Sequence, residues 1–75
     1  MDTREIKNRV DYVIACVSEF AEKFRLSNQQ AYAYMRRYTA IDFLLNYYDV
    51  MHTQSIENSV EDIQLYCYNR GGRVI

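Results

Sequence analysis

The 75-residue chain has no proline and no tryptophan, a single histidine, two cysteines, and only two glycines, which stand together at Gly71-Gly72. Without proline or an internal glycine, nothing before Gly71 breaks a helix through the backbone alone. The cysteines, Cys16 and Cys67, fit neither a C-x-x-C nor a Cys/His metal pattern. In a cytosolic chain such cysteines are expected as reduced, small hydrophobes, with Cys67 on a core stripe and Cys16 at the edge of its own. No apolar run approaches the roughly 18 residues of a membrane span, which excludes a transmembrane helix. The opening Met1-Asp2-Thr3-Arg4-Glu5 is mixed in charge and lacks a signal peptide's apolar stretch, so the expected location is cytoplasmic. An excess of one charge is missing too. Nine basic against ten acidic residues give a net charge of −1, which argues against gripping nucleic acid through bulk electrostatics.

Hydrophobic residues make up 49% and charged ones 25%, the balance of a globular protein. The length suits one small domain over residues 1–75. A chain this short buries only about 60% of its unfolded surface, so its stability is marginal and oligomerisation is a plausible source of help. Tyrosine stands out, with eight of the eleven aromatics against three Phe.

The pattern predicts an all-α fold, a compact bundle of about four helices near residues 3–24, 28–38, 40–49 and 56–70. Asp2 with Glu5 makes a capping-box pattern for the first helix. Ile6, Val10, Val13, Ile14, Val17, Phe20, Ala21 and Phe24 then fall within an arc of about 120°, the stripe expected to face a core, with Tyr12 outside it. Ser27 and Gln30 form a second capping box, with Leu26 and Ala31 placed as a hydrophobic staple. Ala31, Tyr34, Met35 and Tyr38 share one face of the second helix. Near Thr39 the stripe divides: Ile41, Leu45 and Tyr48 continue it, while Phe43, Leu44 and Tyr47 open another. A helix apolar all round reads as central, and Thr39 with Asp42 is a candidate cap for a new helix after a kink or short break. Ser55 is the expected N-cap of the last helix, whose core stripe is Ile56, Val60, Ile63 and Cys67. Gly71 sits where a left-handed C-terminal cap belongs. Arg73-Val74-Ile75 could fray or add an edge strand.

Chemistry is sparse. His52 is the sole general-base candidate near neutral pH, with no nucleophile or phosphate loop beside it, and is read as a loop histidine bonding to backbone. Glu61 and Asp62 are adjacent, so a helix points them about 100° apart and they read as a solvated acidic face. No catalytic set, cofactor or metal is expected. Arg36-Arg37 beside Tyr32, Tyr34 and Tyr38 is the one basic and aromatic interleaving. With the second and third helices sized like a helix-turn-helix pair, it supports a DNA-binding regulator as the second reading. Two arginines on an acidic protein release few counterions, so nucleic acid is disfavoured.

The preferred reading is a protein-interaction module, antitoxin-like or self-assembling. Tyr34, Tyr38 and Tyr48 lie on core stripes. Leu65 projects nearly opposite the core stripe of its own helix, and Tyr68 follows it by one turn, so the two make an apolar spot on a face expected to be solvated. Leu65, Tyr68 and Tyr32 are the candidate partner-binding residues.

The Leu26-Ser27 break, Ala31-Tyr32 with Tyr34, and Ile41-Asp42-Phe43-Leu44 carry a resemblance that continues through Tyr47-Tyr48, His52-Thr53, Ser55, Val60-Glu61-Asp62-Ile63 and Gly71-Gly72. In these the chain resembles a family of small helical bacterial proteins of unknown function, often encoded beside a predicted ADP-ribosyltransferase-like toxin. The resemblance implies a partner-binding or antitoxin-like role, with the neighbouring gene product as partner; a second copy is the partner that the small size and the aromatic content suggest.

Overall fold

A computed structural model describes residues 3–72. Among them the chain forms five helices: α1 (Thr3–Phe24), α2 (Asn28–Arg37), α3 (Ala40–Asn46), the single turn α4 (Tyr48–Met51) and α5 (Ile56–Asn69). The all-α bundle stands as expected, with α4 as an added turn. Both the Asp2 cap and the Arg73-Val74-Ile75 tail lie outside the described residues. No described helix is long and apolar enough to cross a membrane.

At 22 residues, α1 is about 33 Å long and forms the long axis of a molecule measuring 38 × 22 × 21 Å. α2, α3 and α5 pack on it. Phe20, Met35, Leu44, Val60, Ile63, Cys16 and Cys67 are fully buried where they meet.

Local chemistry sets most of the boundaries. The Ser27 hydroxyl accepts from the Gln30 amide at 3.0 Å while Gln30 Oε1 accepts from the Ser27 amide at 2.9 Å, closing the capping box. Ser55 Oγ accepts from the Asn58 amide at 3.1 Å. At the end of α5, Gly71 (φ 91°) donates its amide to the Tyr68 carbonyl, and Gly72 donates to that of Cys67. These are the paired bonds of a Schellman motif. The end of α1 repeats the arrangement, with Arg25 donating to Glu22 and Leu26 to Ala21. There the left-handed residue is Arg25 (φ 56°) instead of glycine.

The break at Thr39 exists, but its cap does not. Thr39 has φ 63° and makes no side-chain bond to the start of α3; its hydroxyl lies 2.9 Å from the Tyr66 hydroxyl on α5. A β-branched residue rarely enters the left-handed region, and here a bond to a distant helix accompanies it. α3 is not apolar-covered all round either: Leu44 is buried, whereas Leu45 and the following Tyr47 are exposed.

The largest correction concerns α1. Tyr12, expected outside the stripe, is buried, and Cys16 is fully enclosed instead of lying at an edge, while Ile6, Val10 and Ile14 are exposed. The covered side is rotated toward the Tyr12–Cys16–Phe20 row. Ser59, itself fully buried, meets the Tyr12 hydroxyl at 2.6 Å, so the phenol enters the core with its polar atom satisfied. Beside this row Arg9 joins α1 to α3. Its guanidinium donates to the Leu45 carbonyl at 2.8 Å, bonds Glu5 at 3.1 Å and lies over the Tyr48 ring.

Candidate functional site

His52 and Asp62, two of the groups with catalytic potential, are engaged in structure. His52 Nδ1 is 2.6 Å from the Tyr48 carbonyl, and its imidazole stacks on the Tyr48 ring at 4.4 Å. A backbone carbonyl can only accept, so Nδ1 carries the proton of this bond. Asp62 accepts from Gln54 at 2.8 Å. Burial pushes the thiols of Cys16 and Cys67 up to about 11, which leaves them protonated and poorly nucleophilic at neutral pH. Glu19, Glu22, Glu57 and Glu61 surround an open groove of 550 Å³ with Lys23. Among the described residues, no acidic, histidine and cysteine group is placed to hold a metal ion.

What the surface offers instead is apolar. Ile6, Val10 and Ile14, spaced four apart, form a ridge along α1 with exposures of 49%, 47% and 57%. These values identify a side of α1 that the bundle leaves in water. Together with the buried row from Tyr12 to Phe20, apolar residues occupy about 200° of the α1 circumference, well beyond the roughly 100–120° stripe needed to dock one side. At its Ile14 end the ridge meets a groove of 330 Å³ between α1 and α2, lined by Val13, Ile14 and Val17 with Tyr32, which is 43% exposed. Ser18, Asn28 and Gln29 complete the lining. Ser27 fixes the groove's far wall by starting α2, and the turn at Arg25-Leu26 brings that helix back along α1.

The three residues singled out from the sequence are placed on different parts of this surface. Tyr32 belongs to the α1–α2 groove and also borders a shallow depression with Arg36 and Arg37. Leu65 and Tyr68 are both 60% exposed on α5, and Leu65 lines a depression with Phe43, Asp62, Tyr66, Asn69 and Arg70. That depression shares no residue with the Tyr32 groove. Its floor is fixed: Tyr66 stacks on Phe43 at 4.4 Å, and the Arg70 guanidinium lies 3.5 Å from its centroid. The ridge itself was missed because Ile6, Val10 and Ile14 fit the expected core arc. The available signal was its width once Tyr12 and Cys16 are added, since one covered side cannot absorb so much apolar surface.

No curated protein and no solved structure matches this chain. Residues 11–70 match a family described as "Protein of unknown function (DUF3791)". That span includes the Tyr12–Ser59 pair, Tyr32, Leu65 and Tyr68, and the chain belongs to this family of uncharacterised proteins.

Proposed function

We propose that the chain is a small protein-interaction module that docks a protein partner through the α1–α2 face. One observation carries the reading: Ile6, Val10 and Ile14 stand in water as a continuous ridge that ends at a groove lined mainly by apolar side chains. Contiguous apolar surface on a small globular protein marks a binding site more often than scattered single residues do. Tyr32 gives the site an aromatic anchor of the kind that dominates interface energetics. Leu65 and Tyr68 supply a second, smaller surface on α5. In its finer form the module neutralises a toxin encoded beside it, the role implied by the family resemblance.

The test is calorimetric titration against the neighbouring gene product, together with sedimentation of the chain alone. Tyr32→Ala is expected to weaken an association seated on this face by at least about 30-fold, the effect of a hot-spot truncation. Leu65→Ala and Tyr68→Ala, titrated in parallel, reveal whether the α5 surface takes part. If wild-type protein binds neither itself nor its neighbour, the reading is wrong.

A helix-turn-helix-like DNA-binding regulator draws less support. α3 would be the recognition helix, yet it has seven residues, no Lys or Arg, and an aspartate in its first turn. Base and phosphate contacts need donors that this helix lacks. Strongly salt-dependent DNA binding would favour it all the same.

A further inference from the structure

We infer that the occupant of the α1 ridge is a second copy of the chain, with the two α1 helices packed antiparallel about Val10; this rests on the interaction-module reading above. The ridge is symmetric about its middle residue, because Ile6 and Ile14 each stand four positions from Val10. A two-fold axis through Val10 therefore sets Ile6 against Ile14 of the partner copy, Val10 against Val10, and Ile14 against Ile6. This is the reciprocal pairing that an isologous interface requires.

The ends of the ridge are complementary as well as symmetric. Ile14 borders the 330 Å³ apolar groove beside Tyr32. Ile6, about 12 Å away along the helix, is an exposed apolar side chain in a stretch where no described residue before Tyr12 is buried. The two-fold carries each Ile6 to the other copy's groove and covers both at once. A monomer leaves the groove and the Ile6–Val10 side of α1 uncovered, whereas the antiparallel dimer satisfies both with one operation.

The apolar area approaches the lower end of what a dimer needs. Ile6, Val10, Ile14 and Tyr32 are each about half exposed, roughly 350 Å² of apolar surface per copy. Homodimer interfaces are about 65% apolar, and stable protein interfaces bury about 600–1,000 Å² per partner. The four side chains thus supply most of the apolar centre, with the groove walls and a polar rim for the remainder. Lys7 and Asp11 already pair at 3.0 Å along the edge, so the rim carries no uncompensated charge from these two.

Sedimentation velocity across roughly 1–100 μM, with far-UV circular dichroism as the check on folding, tests the arrangement. Wild-type protein is expected to sediment as a dimer. Val10→Glu sets two carboxylates against each other at the axis and is expected to raise the dimer dissociation constant by at least about 100-fold. Its helicity should be unchanged, because Val10 is exposed in the single chain. Mild oxidation should link Val10→Cys protein into a covalent dimer. Ile6→Cys protein should not link, since its two copies lie about 12 Å apart, beyond disulfide reach. Both native cysteines are fully buried and stay out of the reaction. Monomeric wild-type protein, or a dimer indifferent to Val10→Glu, overturns the inference. Efficient linking of Ile6→Cys would overturn the antiparallel register. If the chain is monomeric but Val10→Glu abolishes binding to the neighbouring gene product, the second-copy inference fails and the interaction-module reading survives. If the chain binds neither, both fail.

Discussion

At the scale of single residues, the buried polar pair shows how tightly the core is specified. The Tyr12 hydroxyl meets Ser59 Oγ at 2.6 Å, and Ser59 Oγ lies 3.4 Å from the Met51 carbonyl, to which it donates. If Ser59 uses its one proton on Met51, the phenol must donate to Ser59, and the chain Tyr12–Ser59–Met51 has a defined direction. Ser59→Ala takes from the phenol its 2.6 Å acceptor and removes a donor from the carbonyl, which is expected to cost about 1–3 kcal/mol. Tyr12→Phe leaves Ser59 bonded to Met51 and should cost less, about 1 kcal/mol. Chemical denaturation of the two variants checks the order; a Ser59→Ala variant no less stable than Tyr12→Phe would contradict this direction. The pair was invisible in the sequence because its members stand 47 positions apart, and helical spacing alone placed Tyr12 on the outer face. Cys67 and Ile63, by contrast, were readable because they share a narrow stripe with Val60 at spacings of three and four.

At the scale of elements, the features set by neighbouring residues were legible and those set by distant ones were not. Ser27 with Gln30, Ser55 and Gly71 each act within one turn of their own position, and each ends or starts a helix where the sequence indicates. Thr39 and Asp42 carry the same local pattern, but the Thr39 hydroxyl is bonded to Tyr66 of α5, so tertiary structure overrides the cap. The two Schellman turns differ in a way that predicts opposite responses. Arg25 holds a left-handed conformation (φ 56°) that glycine adopts without steric cost, so Arg25→Gly is expected to stabilise by about 0.5–1 kcal/mol after its greater unfolded-state entropy is counted. Gly72 is the reverse case. A Cβ there would stand 2.7 Å from the Tyr34 hydroxyl and 3.0 Å from the Cys67 carbonyl. The tyrosine tip can move, but the carbonyl belongs to the α5 backbone, so Gly72→Ala should cost about 1–3 kcal/mol. Thermal melts of the two variants should move in opposite directions, and a Gly72→Ala protein as stable as wild type would show that the α5 end has room to give.

At the scale of the whole molecule, the core holds three ionisable groups as neutral acids, and this ties stability to alkaline pH. Burial is the largest cause in each case. It pushes Cys16 and Cys67 from the usual 9.0 to about 11 and Tyr12 from 10.0 to about 12. For Cys16 and Tyr12, hydrogen bonding to Tyr12 and to Ser59 respectively pulls back against burial. Between pH 9 and 11 the folded protein keeps protons that the unfolded chain has released, so stability must fall as pH rises through this window. Below about pH 8 both states hold the thiol protons, and these groups impose no slope. A shift of two units is worth on the order of 3 kcal/mol per thiol when fully expressed. A domain of this length has a total stability of only about 4–11 kcal/mol. The two thiols alone can therefore remove between about half and all of it by about pH 11, before Tyr12 adds its share. The melting temperature, measured with reductant present, is expected to vary little from pH 7 to 8 and then drop steeply from pH 9 to 11. Cys67→Ala removes one titrating group, so its melting temperature should start lower at pH 7 yet fall less over the same window. A wild-type melting temperature that holds constant to pH 11 would mean that the thiols are not enclosed as the packing of α1 against α5 requires.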